Sequence, residues 1–213
     1  LRISGLIENK TSSKMEILYK RLDSLALTLP KHLSIEYTGT TVVALKTNNY
    51  LVKSLVDSLS IAIGLIAIIM AFMFRSKSML FASLVTNLIP IFTVLGILSW
   101  LGISIRPPTA MTFSVALGIA VDDSLHFLLR YRKELSNGLN KREAIQETIK
   151  NTGSALMITS SVLVGGFSIL FLSAFLPTYQ FGLLAASMIA CALTCDLTLL
   201  PALCLILPKP TNN

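Results

Sequence analysis

The stretch Ser114-Val-Ala-Leu-Gly118-Ile-Ala-Val-Asp122-Asp123-Ser124-Leu-His126 sets two adjacent carboxylates in the middle of an apolar run long enough to cross a lipid bilayer. A carboxylate at the centre of a membrane helix costs roughly 2.5–3.5 kcal/mol on insertion scales. Two in succession are poorly explained by packing alone. They require a partner, water or a proton, so the pair is the first candidate for function.

Composition agrees with a membrane setting. Hydrophobic residues make up 53% of the chain and charged residues 14%, where a soluble domain carries about 25% charge. The formal charge of +7 lies in short segments between apolar runs, where it sets membrane topology rather than forming a nucleic-acid face. Cys191, Cys195 and Cys204 all fall in the last apolar run. They form neither a disulfide framework nor a metal-ligand spacing and read as helix-packing or lipid-facing residues.

Outward from the acidic pair, the chain divides into a polar N-terminal part over residues 1–50, a membrane domain over 51–207 and a short tail over 208–213. The polar part predicts a β-α-β unit. Leu1–Ile7 and Leu33–Tyr37 alternate as strands do, and a helix lies between them at about 14–29, stopped by Pro30. That unit is too small to bury a core alone. With no initiator Met and no signal peptide, the chain is expected to be the C-terminal part of a longer protein.

The membrane domain predicts an all-α bundle with five spans at about 51–74, 79–101, 109–131, 155–175 and 179–206, each near the about 20 residues that a bilayer needs. A separate helix over about 140–152 is expected on the inner membrane surface. Asn140 and Glu143 start it, Gly153 stops it, and Ala144, Ile145, Thr148 and Ile149 form its apolar stripe. Alternate connectors carry Arg75, Lys77, Arg130, Arg132, Lys133, Lys141, Arg142, Lys150 and Lys209, whereas the opposite ones carry only Arg106. The positive-inside rule makes the first set cytoplasmic, with the N-terminal unit outside and the C-terminus inside. Tyr50, Trp100 and Tyr179 then mark the outer interface and Tyr131 the inner one.

Residues four apart share a helix face, so Ser114, Gly118, Asp122 and His126 form a seam where small side chains admit another helix. Asp123 is turned about 100° away. The two carboxylates are expected to titrate as a coupled unit suited to carrying protons. Gly118, Ser124, His126, Thr159, Ser160 and Asp196 are candidate supporting residues. The hydroxyls of Thr159 and Ser160 lie at similar depth and can hydrogen-bond a protonated carboxyl. His126 fits a proton path or a packing role. Asp196 is expected nearer the cytoplasm, too deep to face Asp123, partnered by a backbone amide freed at Pro201 or by a basic residue, with a proton-exit role as the alternative. No metal or cofactor is expected, only protons as coupling ion.

Several motifs in order carry a resemblance. Gly-x-x-x-Asp-Asp at Gly118–Asp123, the run Val121–Phe127, and Arg130-Tyr131-Arg132-Lys133-Glu134 resemble transporters of the resistance–nodulation–division superfamily. Thr38-Gly39-Thr40, Phe74-Arg75-Ser76, Asn87-Leu88-Ile89-Pro90 and the Asp196–Pro201 segment extend the resemblance along the chain. The nearest branch looks like the hydrophobe/amphiphile exporters and the mycobacterial-type lipid (MMPL-like) transporters. The resemblance implies that this chain is the second six-helix repeat without its first helix, preceded by the end of an extracytoplasmic porter-like domain. It places Asp122 and Asp123 on helix ten, where many drug pumps of the superfamily carry a lysine instead.

The resemblance further implies proton-driven export of hydrophobic or amphiphilic molecules across a bacterial inner membrane. The protein would be a secondary transporter and not an enzyme. Its implied partners are the N-terminal half of the same transporter, a lipid-like substrate, membrane lipids, further copies and periplasmic accessory proteins, with no nucleic acid. The principal alternative is a lipid sensor or scaffold like the sterol-sensing-domain proteins, without proton coupling. An intramembrane aspartyl protease using Asp123 and Asp196 is a weaker alternative, because Gly-x-Gly-Asp is absent and the two residues are expected at different depths.

Overall fold

A computed structural model describes residues 12–26, 38–100 and 107–209. Among these residues every regular element is helical. The strands expected near residues 1–7 and 33–37 lie outside the described residues. The chain divides into two compact units at Lys53–Ser54.

In the first unit, α1 spans Ser12–Ala26. Gly39, at φ 119°, precedes α2, which runs Thr40–Phe74 and contains the unit boundary. The Gly39 carbonyl accepts from Val43 N at 3.1 Å and so starts the helical ladder.

The second unit is a helical bundle. It holds the apolar part of α2, then α3 (Lys77–Trp100), α4 (Pro107–Ser136), α5 (Lys141–Thr148), a π-helical turn (Ile149–Gly153), α6 (Ser154–Ile169), a 3-10 turn (Leu170–Leu172) and α7 (Leu176–Ile206). Stretches Asn49–Phe74, Lys77–Trp100, Met111–Ser136, Lys141–Leu172 and Leu176–Ile206 are long and apolar enough to cross a membrane. The chain is thus a multi-pass membrane protein, with five candidate spans among the described residues.

Each reversal has a local cause. Arg75 ends α2 in the left-handed region at φ 48°, and its N–H bonds Ala71 O at 3.0 Å. Gly138, at φ 91°, ends α4 in a Schellman arrangement: Gly138 N donates to Leu135 O, and Leu139 N to Glu134 O. Asn140 then starts α5 with a complete capping box to Glu143. At the other end of the bundle, Gly182 packs so closely on the preceding turn that a Cβ there would lie 2.6 Å from Leu170 Cβ.

Two expectations fail between residues 140 and 175. Gly153 does not stop the helix over 140–152. It keeps φ −59°, and the chain passes through the π turn into α6, so one helical rod extends from Lys141 to Leu172. Nothing in Ile149–Gly153 forbids helical dihedrals, and a π turn absorbs one extra residue without breaking the rod. Nor does the apolar stripe of α5 face lipid. Ala144, Ile145 and Thr148 are buried against the bundle, and of the four stripe residues only Ile149 is exposed. The stripe packs instead on α4 and α7, as the apolar face of an amphipathic helix does against a core.

Tyr131 is also misplaced by the sequence reading. It is buried, and its hydroxyl donates to Cys204 O at 3.4 Å instead of marking an interface. A phenol needs a partner when buried, and the α7 carbonyl supplies it.

Helix α7 packs against α3, α4, α5 and α6 and forms the centre of the unit. Buried apolar residues of α3, α4 and α7 form two clusters. One gathers Met79, Phe127, Tyr131, Leu200 and Cys204, and the other Ile91, Phe113, Leu117, Leu184 and Met188. The clusters follow the same order along α4 and α7 and the reverse order along α3. Hence α4 and α7 run parallel, and α3 runs against them. Between the clusters on each helix lie buried polar residues, Ser83, Thr86 and Asn87 on α3, Asp123 and Ser124 on α4, and Asp196 on α7, with Thr112 and Glu134 of α4 buried beyond them. A polar layer therefore crosses the bundle between two apolar ones.

Candidate functional site

The adjacent aspartates part company. Asp123 is 9% exposed and accepts a hydrogen bond from Ser160 Oγ of α6 at 2.8 Å. The Asp122 side chain is 67% exposed on the outer face of α4, with His126 Nε2 3.5 Å from its Oδ1. The helical turn between neighbouring positions produces this split. Ser114, Gly118, Asp122 and His126 share the uncovered face, and a Cβ at Gly118 would meet open space.

Asp196 is the residue the sequence reading placed wrongly. It is 1% exposed, and Asp123 is the charged group it faces. The register explains the meeting. Tyr131 and Cys204, 73 residues apart, bond across the parallel helices α4 and α7. Asp123 and Asp196 are also 73 apart (196 − 123), so the same register brings the carboxylates level. Neither Asp196 oxygen has a hydrogen-bond partner among the described residues. The expected backbone amide is absent for a chemical reason. A proline removes its own N–H and frees a carbonyl, which a carboxylate cannot accept from.

The remaining candidates separate in the same way. Thr159 is exposed and donates to its own helix at Ala155 O, 3.0 Å away. Ser124 is fully buried but turns toward α3, where Asn87 Nδ2 donates to its Oγ at 2.8 Å. Asn87 also donates to Ser83 O at 2.8 Å, and Ser83 Oγ donates to Met70 Sδ of α2 at 3.0 Å. Asn87 and Ser83 were not singled out as site residues. Their signal was present as two polar residues four apart inside an apolar span, one turn before Pro90.

Asp123, Ser160 and Asp196 thus meet from α4, α6 and α7, while Asp122 and His126 point elsewhere. No group of three or more His, Cys, Asp or Glu suited to a metal occurs among the described residues. A buried acidic pair with one hydroxyl can hold and release protons, and it can bias packing between three helices as its charge changes. It also removes the depth objection to an aspartyl protease. The arrangement still lacks the Gly-x-Gly-Asp sequence of that class.

A bundle of apolar helices with a buried acidic site on its central elements defines a polytopic membrane protein. The model of the MMPL family matches residues 8–210, and the chain belongs to that family, within the resistance–nodulation–division superfamily.

The chain is 32% identical over 152 residues to a membrane protein of Methanocaldococcus jannaschii, covering 70% of this chain and 39% of that one. It is 25% identical over 162 residues to a multidrug resistance protein of Cronobacter sakazakii, covering 74% and 16%. It is 27% identical over 82 residues to a trehalose monomycolate exporter of Mycolicibacterium smegmatis, covering 38% and 8%. The matched stretch is well under half the length of each of these relatives.

Proposed function

We propose that this chain is the second membrane repeat of a proton-motive-force-driven exporter of hydrophobic or amphiphilic molecules. The single observation that carries the reading is the Asp123 carboxylate, buried among membrane helices and held by one hydroxyl. Protons reach Asp122 and Asp123 from the outer side and leave toward the cytoplasm. Asp122 and His126 lie on the face of α4 left uncovered by the rest of this unit, where the helix of a first repeat packs. Protonation alters the charge at that seam and the packing across it. The N-terminal part lies outside a bacterial inner membrane, and the tail over 208–213 lies in the cytoplasm.

The energetics suffice. One charge crossing 100 mV is worth about 2.3 kcal/mol. Family membership supports the class, and relatives named as a multidrug resistance protein and a trehalose monomycolate exporter support an apolar or amphiphilic cargo. Replacing Asp122 and Asp123 together by Asn in the full-length protein should abolish transport while leaving membrane insertion intact. Undiminished transport would defeat the proposal. Lipid-dependent complex formation with no proton dependence would assign the chain to the sensor class instead.

A further inference from the structure

We infer that Asp123 and Asp196 hold one exchangeable proton between them, with the Ser160 hydroxyl bonded to Asp123, so that two carboxylates of this bundle form a proton-holding site. The inference rests on the proton-coupled reading and refines it. It divides the adjacent aspartates into an inward member of the pair, Asp123, and an outward residue at the α4 face, Asp122.

Three observations converge. Asp196 is almost wholly buried, and both of its oxygens lack a hydrogen-bond partner among the described residues. Its charged neighbour is Asp123, on a helix parallel to its own and in matched register. Asp123 takes one bond from Ser160 at Oδ2, and its other oxygen has no side-chain hydrogen bond among the described residues. Two carboxylates at this depth repel each other, and a single proton shared between them relieves that repulsion while satisfying an orphaned oxygen. The pair then carries a charge of −1. Losing that proton leaves −2, and gaining a second leaves it neutral. Either change alters the attraction between α4 and α7 directly.

The other titratable groups facing the pair are few. Asp122 and His126 reach Asp123 along α4, and Cys195 lies beside Asp196 on α7. From α6 the contact is the Ser160 hydroxyl, and α3 brings the neutral Asn87 and Ser83 to the adjoining Ser124. No basic side chain partners Asp196 among the described residues.

Infrared difference spectra of the full-length protein in proteoliposomes, taken through a pH titration, test the pairing by the C=O stretch of protonated carboxyls. Asp196→Asn should shift the midpoint of the remaining Asp123 band by about one pH unit or more, and Asp123→Asn should do the same to Asp196. Asp122→Asn should leave a coupled pair. Ser160→Ala keeps both carboxyls and should move both bands together, which serves where an Asn variant fails to fold. Independent midpoints in the single variants would overturn the inference. So would a band abolished by sodium at fixed pH, which would assign the pair to a metal cation. These spectra do not depend on transport. Coupled bands without proton-dependent export would defeat the exporter reading and leave the pair standing, and the converse result would do the opposite.

Discussion

The ammonium of Lys141 lies 3.1 Å from the carbonyl oxygen of Leu205 and also donates to Leu207 O, tying the first turn of α5 to the last turn of α7. The last carbonyls of a helix have no partner within it and form the negative end of its dipole, so a lysine is well matched to them. Lys141→Met keeps the aliphatic stem and removes the charge. It should lower stability by about 1 kcal/mol, discounted for partial exposure. Thermal unfolding in detergent reads this directly, and an unchanged midpoint would show the contact to be incidental.

Gly182 gives the opposite end of the bundle a sharper test. An added Cβ would lie 2.7 Å from Phe167 O and 2.6 Å from Leu170 Cβ, both held by the α6 terminus. Gly182→Ala should cost about 1–3 kcal/mol by forcing those groups apart. Gly165→Ala and Gly166→Ala meet open space and should be neutral or stabilising by up to about 1 kcal/mol in the same assay. Helix propensity favours alanine at all three positions, so equal losses would show that close approach at Gly182 does not set the effect.

Asn87 joins α3 to α4 through Ser124 at 2.8 Å. Interhelical hydrogen bonds in membranes are worth about 0.6 kcal/mol on average and at most about 1.7. Asn87→Leu should therefore destabilise by about 1 kcal/mol, and less when Ser124 is already Ala. A double-mutant cycle by denaturant titration measures that coupling. Strict additivity would show that the two side chains do not support one another.

Gly138 holds φ 91° at the Schellman turn after α4. Gly138→Ala should cost about 1 kcal/mol, because an alanine pays a steric penalty there. Gly138→Asn should recover part of the loss, since Asn tolerates that region better. Urea or thermal unfolding of both variants tests the order, and an alanine variant as stable as the native chain would contradict it.

Much of the bundle was legible because membrane spans announce themselves by length and hydropathy, which do not depend on tertiary contacts. The Asn140–Glu143 start of α5 was legible for a similar reason, since a capping box is local chemistry. Gly153 was not, because glycine at a helix end and glycine inside a continuing helix read alike until Leu197 and Ile149 are seen packed around it. Ser160 and Thr159 stood side by side as candidates, and only the rotation of α6 decides which hydroxyl turns inward. Asp196 was misjudged because depth was counted from Pro201 alone. The offset between α4 and α7 is a tertiary quantity, fixed by contacts such as Tyr131 with Cys204.

The belt of polar side chains sandwiched between two greasy tiers works as an alignment mark for the helices. Sliding α4 or α7 lengthwise by one turn, about 5.4 Å, would push an aspartate into hydrocarbon and strand its neighbours without hydrogen bonds. Piston strokes are therefore costly in this architecture. Swivelling and tilting about the belt keep every polar atom at its own height, and those are the movements the bundle leaves cheap.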